Sequence, residues 1–203
     1  MIGSIILLKQ NANELEDMIK LAEDLGLKWQ VGMRIVPTRD GSKAPLDHRP
    51  TLEQFRLALR VIRGYSPREE HRIELPQQNG RLLQQGGPIC NGGITTCAIS
   101  YTGEVLVCPG FPLSAGNVRE RPFMEIWRSS DILKRVRNLR IKDIEKCKQC
   151  DNAVKYCTLC PALFLAEEGS LYKPSPRVCS ETNIIKEEVS KDEKAMAETD
   201  GYN

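Results

Sequence analysis

Eight cysteines stand at positions 90, 97, 108, 147, 150, 157, 160 and 179, and none precedes Cys90. Four fall in "CKQCDNAVKYCTLC" (147–160), as two C-x2-C pairs separated by six residues. A C-x2-C turn points two thiolates at one ion, so this quartet alone is compatible with a small zinc site. That reading leaves Cys90, Cys97, Cys108 and Cys179 idle. Eight thiolates also divide into two sets of four, the number a cubane cluster takes. Two zinc ions would use eight as well, so the count leaves both metals open. Disulfides are the third option. The apolar run at residues 5–8 lacks the basic flank and cleavage site of an export signal. No run approaches the ~18 apolar residues of a membrane span. A cytoplasmic location is expected, where paired thiols bind metal more often than they form structural disulfides.

The elements around the thiols must bring them together. "ITTCAISYTGEVLVC" (94–108) reads as a hairpin around Tyr101-Thr102-Gly103. Cys90 and Cys97 flank its first strand, and Cys108 ends its second. "RPFMEIWRSSDILKRVRN" (121–138) predicts a helix with Phe123, Ile126 and Trp127 on its buried side. Upstream the pattern is different. "SIILLK" (4–9) suits a buried strand, and "NELEDMIKLAEDLG" (13–26) predicts a helix with an Asn13–Glu16 capping box and a stop at Gly26. Its apolar positions are Leu15, Met18, Ile19, Ala22 and Leu25. "LKWQVGMRIVP" (27–37) is a second strand, followed by a turn at Asp40-Gly41. Thr51 and Gln54 cap a second helix, with Leu52, Phe55, Ala58, Leu59 and Ile62 inward. Strand–helix–strand–helix order implies parallel pairing, and two strands are too few for a self-sufficient sheet of that kind.

The full cysteine pattern is C-x6-C, G-x4-C, C-x2-C-x6-C-x2-C and a distant Cys179. It resembles the SPASM domain of radical SAM enzymes. "GNVRERPFMEIW" (116–127) is similar to that family's segment between hairpin and cysteine cluster, and "CPALFLAEEGSLYKPSPRVC" (160–179) to its closing segment. The family's usual middle spacing is C-x2-C-x5-C-x3-C; here the third cysteine of that run sits one place later. The resemblance implies two auxiliary 4Fe–4S clusters with interleaved ligation. Cys90, Cys97, Cys108 and Cys160 would hold the first, and Cys147, Cys150, Cys157 and Cys179 the second. It also implies a small domain that folds around its metal more than around an apolar core. Residues 13–26 and "IVPTRDGSKAPLDHRPTLEQF" (35–55) resemble the last strand–helix units of the radical SAM barrel in peptide-modifying members. The C-x3-C-x2-C motif that in this family holds the SAM-binding cluster occurs nowhere in the sequence.

The expected fold is therefore α+β, a fragment of a parallel α/β (partial TIM-type) barrel followed by an iron–sulfur-stapled SPASM domain with a β-hairpin and short helices. Residues 1–63 would form the barrel fragment, 64–88 a linker, 89–183 the SPASM domain and 184–203 a charged, frayed or disordered tail. The implied function is modification of a peptide or protein by a radical SAM enzyme, with auxiliary clusters serving substrate binding or electron transfer. The chain alone would be inactive, and S-adenosyl-L-methionine (SAM) would bind only if a second chain supplied the other barrel half. An electron donor such as ferredoxin or flavodoxin and an anaerobic setting are further implications. A stand-alone two-cluster electron-transfer or scaffold protein, and a zinc-binding interaction module, are the alternatives.

The remaining residues offer less. Net charge is +2 and aromatics are 5% of the chain, which gives no basic field and no stacking platform for nucleic acid or anionic membrane. His48 and His71 read as surface histidines, Trp29 and Trp127 as core. Gly86-Gly87 and Gly92-Gly93 form no phosphate-binding fingerprint. In sulfatase-maturing relatives an acidic residue follows the third cysteine; here Pro109 stands there, which argues against that particular reaction.

Overall fold

A computed structural model describes residues 1–65 and 86–200, with side chains as far as residue 191. His71 and most of the expected linker lie outside the described residues. The described chain forms two compact units, one from residues 1–35, 46–65 and 179–200, the other from 36–45 and 86–178.

In the first unit, β1 (Ile2–Ile6) and β2 (Lys28–Gly32) pair in parallel, Ile2 opposite Lys28 and Ile6 opposite Gly32. Helix α1 (Leu15–Asp24) is the crossover between them. Its start differs from the sequence expectation. A 3-10 turn at Ala12–Glu14 leads into it, and neither Asn11 ahead of that turn nor Glu14 ahead of the helix caps it with a side chain; the Asn11 side-chain oxygen accepts instead from the Leu8 amide at 2.7 Å. Its end is as expected. The Gly26 amide donates to the Glu23 carbonyl and the Leu27 amide to the Ala22 carbonyl, both at 2.9 Å, the paired bonds of a Schellman cap. Helix α2 (Leu52–Tyr65) opens on the Thr51–Gln54 capping box, with both reciprocal bonds formed. Phe55, Ala58, Leu59 and Ile62 are buried, whereas Leu52 and Leu25 lie exposed at the first and last turns of their helices.

Leu7, Leu15, Ile19, Trp29, Ala58 and Ile62 make this unit's core, with Tyr65 edge-on to Trp29 at 6.2 Å. Each large side chain buried there contributes about 1.5–3 kcal/mol. The core covers one face of the parallel pair. On the other face Ile2 and Ile6 stay open to solvent, so β1 is not the fully buried strand its composition suggests.

Residues 184–200 are helical, within α7 (Pro176–Asp200), where the charge pattern suggested a frayed tail. One acidic side chain explains much of the order. Glu188 is buried and receives Arg56 at 2.9 Å, Arg60 at 2.8 Å and Lys191 at 2.9 Å. The Arg60 bond above all, then Lys191 and Arg56, holds its carboxyl far below the usual glutamate range, against the opposing effect of burial. A depressed carboxyl contributes stability that is complete above its unfolded value, about 4.3, and is lost as pH falls toward the folded one. The urea midpoint should therefore fall as pH drops below about 5. Glu188→Gln should lower it at pH 7 and flatten that acid-side decline; an unchanged decline would assign the acid sensitivity to other carboxyls.

In the second unit β3 (Ala98–Ile99), β4 (Glu104–Leu106) and β5 (Ser114–Asn117) form an antiparallel sheet in that order. The hairpin turns at Thr102-Gly103, as expected; β5 was not foreseen, because "SAGN" has no β-prone residue. The helix expected over 121–138 is two, α3 (Phe123–Ser129) and α4 (Asp131–Asn138), broken where Ser130 takes an extended backbone. Ile126 is buried; Phe123 and Trp127 are partly covered. Short helix α5 (Asn152–Lys155) and α6 (Pro161–Glu168) complete the unit. Residues 36–45 are sewn into it by Arg39–Glu104 at 2.6 Å and Lys43 to the Glu167 carbonyl at 3.4 Å.

Phe111, Phe164, Ile126, Leu133, Val136, Leu139 and Ile144 build an apolar core in this unit; Cys147 and Cys157 sit in it, and Cys90, Cys108 and Cys160 pack against it.

Candidate metal centre

None of the eight cysteines is in a disulfide. Cys147 and Cys157 are buried, Cys90, Cys97, Cys108 and Cys160 partly buried, and Cys150 and Cys179 exposed. Seven lie in the second unit; Cys179 lies in the first.

Each thiol of the second unit is set by a local device. Cys90 opens a loop that a bridge between Gly92 and Thr96 closes, delivering Cys97 to the start of β3. Cys108 follows β4 at the Pro109-Gly110 turn, where the Phe111 amide donates to the Cys108 carbonyl at 3.0 Å. Cys147 and Cys150 share a turn, the Cys150 amide donating to the Cys147 carbonyl at 3.1 Å. Cys157 follows α5, its amide on the Asn152 carbonyl. Cys160 is the N-cap residue of α6, ahead of Pro161, which pre-sets the first helical φ.

Three of these thiols are neighbours. Burial pushes the Cys108 thiol above its ordinary range, the Gly110 amide pulls it back, and the Cys160 and Cys90 thiolates push it up again. The Phe111 amide adds a smaller pull downward. Cys90 has its own donor, the Gly92 amide at 3.2 Å from Sγ. Thus Cys90, Cys108 and Cys160, from three separate segments, share one electrostatic neighbourhood with backbone donors aimed at sulfur. Among the described residues, no three His, Cys, Asp or Glu side chains close on a point where a single ion could sit.

Loop 90–97 is pressed hard against its surroundings. A Cβ on Gly92 would lie 2.7 Å from Val107 Cγ1 and 3.1 Å from the Val107 carbonyl. Gly93, at φ +75°, has Leu133 Cδ2 at 3.0 Å from where a Cβ would be. The glycine pair is therefore a packing device beneath a thiol and not mere loop flexibility. Opposite it, α4 supplies Leu133 and, one turn on, Arg137, whose Nε donates to the Gly93 carbonyl. Arg137 went unnoticed in the sequence, although its spacing from Leu133 and Val136 places it on the inward stripe.

The donor chemistry fits an iron–sulfur group. The neighbouring side chains are thiols, amide N–H groups point at two of them, and among the described residues a buried guanidinium nitrogen, Arg137 Nη2, has no hydrogen-bond partner.

Comparison with known proteins bears on the same residues. Residues 90–151 match the SPASM family, described as an iron–sulfur cluster-binding domain. That match identifies residues 90–151 as a SPASM domain. Similar proteins include the AdoMet-dependent heme synthases of Nitratidesulfovibrio vulgaris, 41% identical over 197 residues, and Methanosarcina barkeri, 28% identical over 189. That of Oleidesulfovibrio alaskensis is 29% identical over 192. The matches cover 83–85% of this chain and 48–52% of the relatives, so the chain spans about half their length. No helix among the described residues is long and apolar enough to cross a membrane.

Gly92→Ala should cost about 1–3 kcal/mol, the usual penalty for overpacking. The measurement is the urea midpoint of the metal-free chain beside the iron retained after anaerobic reconstitution. Both should drop, because the same contact seats Cys90; Gly64→Ala, at an exposed position of α2 with open space around it, should leave iron content unchanged.

Proposed function

We propose that this chain is the auxiliary-cluster half of a radical SAM enzyme of the heme synthase type, with residues 1–63 completing a barrel supplied in part by other sequence. The observation that carries the reading is the similarity to three AdoMet-dependent heme synthases along more than four-fifths of the chain. The peptide or protein substrate implied by the sequence resemblance has no counterpart among those names, so a tetrapyrrole is the substrate class favoured here.

The first cluster would be held by Cys90, Cys97, Cys108 and Cys160, a set supported by the electrostatic proximity of three of its members. The second, Cys147, Cys150, Cys157 and Cys179, rests on the family pattern. Bound there, 4Fe–4S clusters supply one-electron chemistry or a binding site for substrate. The chain's own residues seat the ligands, shield Cys147 and Cys157 from water and direct amide donors at sulfur. SAM cleavage would need the C-x3-C-x2-C motif from outside this sequence, and a cytoplasmic ferredoxin or flavodoxin would supply electrons.

Anaerobic reconstitution followed by iron, sulfide and zinc analysis tests the metal reading. About eight iron and eight sulfide per chain are expected from two cubanes; about two zinc without sulfide would establish the zinc module instead. Cys160→Ala and Cys179→Ala should each remove about four iron and leave different electron paramagnetic resonance signals. For the substrate, the chain co-expressed with the N-terminal half of a relative should restore heme in a host lacking its own AdoMet-dependent heme synthase. Loaded clusters without heme would overturn the tetrapyrrole reading and leave the metal reading standing.

A further inference from the structure

Arg137 is held from two sides. Its guanidinium carbon lies 4.5 Å from the centroid of the Trp127 ring, and its Nε donates to the carbonyl of Gly93, midway along loop 90–97. Among the described residues its Nη2 is buried and has no hydrogen-bond partner. A buried donor left unpaired is destabilising, and the great majority of buried polar groups in folded proteins are hydrogen-bonded.

The direction of that donor follows from the shape of the group. In a planar guanidinium the Nε–H and one Nη2–H lie parallel along one edge, the edge that forks onto carboxylates. Arg60 shows the geometry in this protein, with Nε and Nη2 together on Glu188. With Nε occupied by the Gly93 carbonyl, the neighbouring Nη2–H of Arg137 points the same way, into loop 90–97. Trp127 holds the plane of the fork, and Leu133, on the same face of α4, is packed beneath Gly93.

We infer that Arg137 is a positioning residue of the first metal centre: one nitrogen clamps the backbone of the loop that carries Cys90 and Cys97, and the other donates a hydrogen bond to sulfur of the cluster bound there. This inference rests on the cluster sites proposed above. The second function has a consequence that packing alone lacks. A cationic donor on cluster sulfur stabilises the more negatively charged, reduced state, and so raises the reduction potential of that one cluster.

The test uses the full chain, reconstituted anaerobically with iron and sulfide, in wild-type, Arg137→Lys and Arg137→Gln forms. Lysine keeps a cation but cannot present two parallel donors. Redox titration followed by electron paramagnetic resonance should show one of the two clusters shifted to a more negative potential in both variants, further in Arg137→Gln. The other cluster should be unmoved. Loss of about four iron from either variant, with the metal-free form still folded by circular dichroism, supports the clamp equally. If Arg137→Gln does not fold, the Arg137→Lys titration decides alone. Full iron content with both potentials at wild-type values in Arg137→Lys would overturn the inference while leaving the cluster assignment intact. A wild-type chain that binds no iron would instead overturn the cluster assignment.

Discussion

Thiols gathered close together oppose one another's ionisation, and much of the second unit can be understood from that constraint. Cys108 shows it directly: burial and the charges of Cys160 and Cys90 oppose its ionisation, and only the Gly110 and Phe111 amides favour it. Bringing such groups together is therefore uphill, and something unrelated to metal has to hold them. The apolar core does this. Phe111 lies three residues beyond Cys108, Phe164 four beyond Cys160 and Leu139 accepts from the Ile89 amide beside Cys90, so each ligand-bearing segment is anchored by a neighbour with no exposed side-chain surface or almost none. Because metal must displace protons from these thiols, loading is coupled to pH as well as to folding.

The first unit solves a different problem. It has one parallel strand pair, one packed face and an ion cluster around Glu188 that fastens α7 to α2. Its one capping box, Thr51–Gln54, and the Schellman turn at Gly26 mark where helices begin and end. The open face with Ile2 and Ile6 is the physical counterpart of the argument that two parallel strands do not make a finished sheet.

What the sequence made legible was whatever had a short-range cause. The Thr51–Gln54 box, the Gly26 stop, the Thr102-Gly103 turn and the inward face of α2 are each decided within a few residues. Failures came where tertiary contacts decide. The Asn13–Glu16 box does not form because Ala12–Glu14 is a 3-10 turn, and the Asn11 side chain ahead of it is tied back to the Leu8 amide and the Ile6 carbonyl. Strand β5 forms from "SAGN" because β4 offers an edge and Ala115 a place in the core, not because its residues prefer to be extended. The tail is helical because Arg56 and Arg60, about 130 positions earlier, meet Glu188. The cysteines were legible as a set from spacing; the proximity of Cys90, Cys108 and Cys160 required a fold.

Loop 90–97 shows why precision at the site depends on a helix whose sequence looks unremarkable for chemistry. A loop carrying two thiols has few internal bonds of its own: the Gly92–Thr96 bridge, the Gly93 amide on the Thr96 carbonyl at 2.7 Å and a turn at Asn91. Its position in space comes from outside, from Val107 against Gly92 on one side and from Leu133 and Arg137 against Gly93 on the other. Two of these three come from α4, whose Leu133, Val136 and Arg137 lie on one stripe, so rotating that helix would move the loop and its thiols with it. The break at Ser130 then has a physical role. A single continuous helix over 123–138 would fix the stripe of α4 relative to Ile126 and Trp127 by the 100° step of the α-helix. The extended backbone at Ser130 frees the two stripes to face different neighbours, the sheet for Ile126 and the ligand loop for Leu133, while Trp127 still reaches across to hold the Arg137 plane.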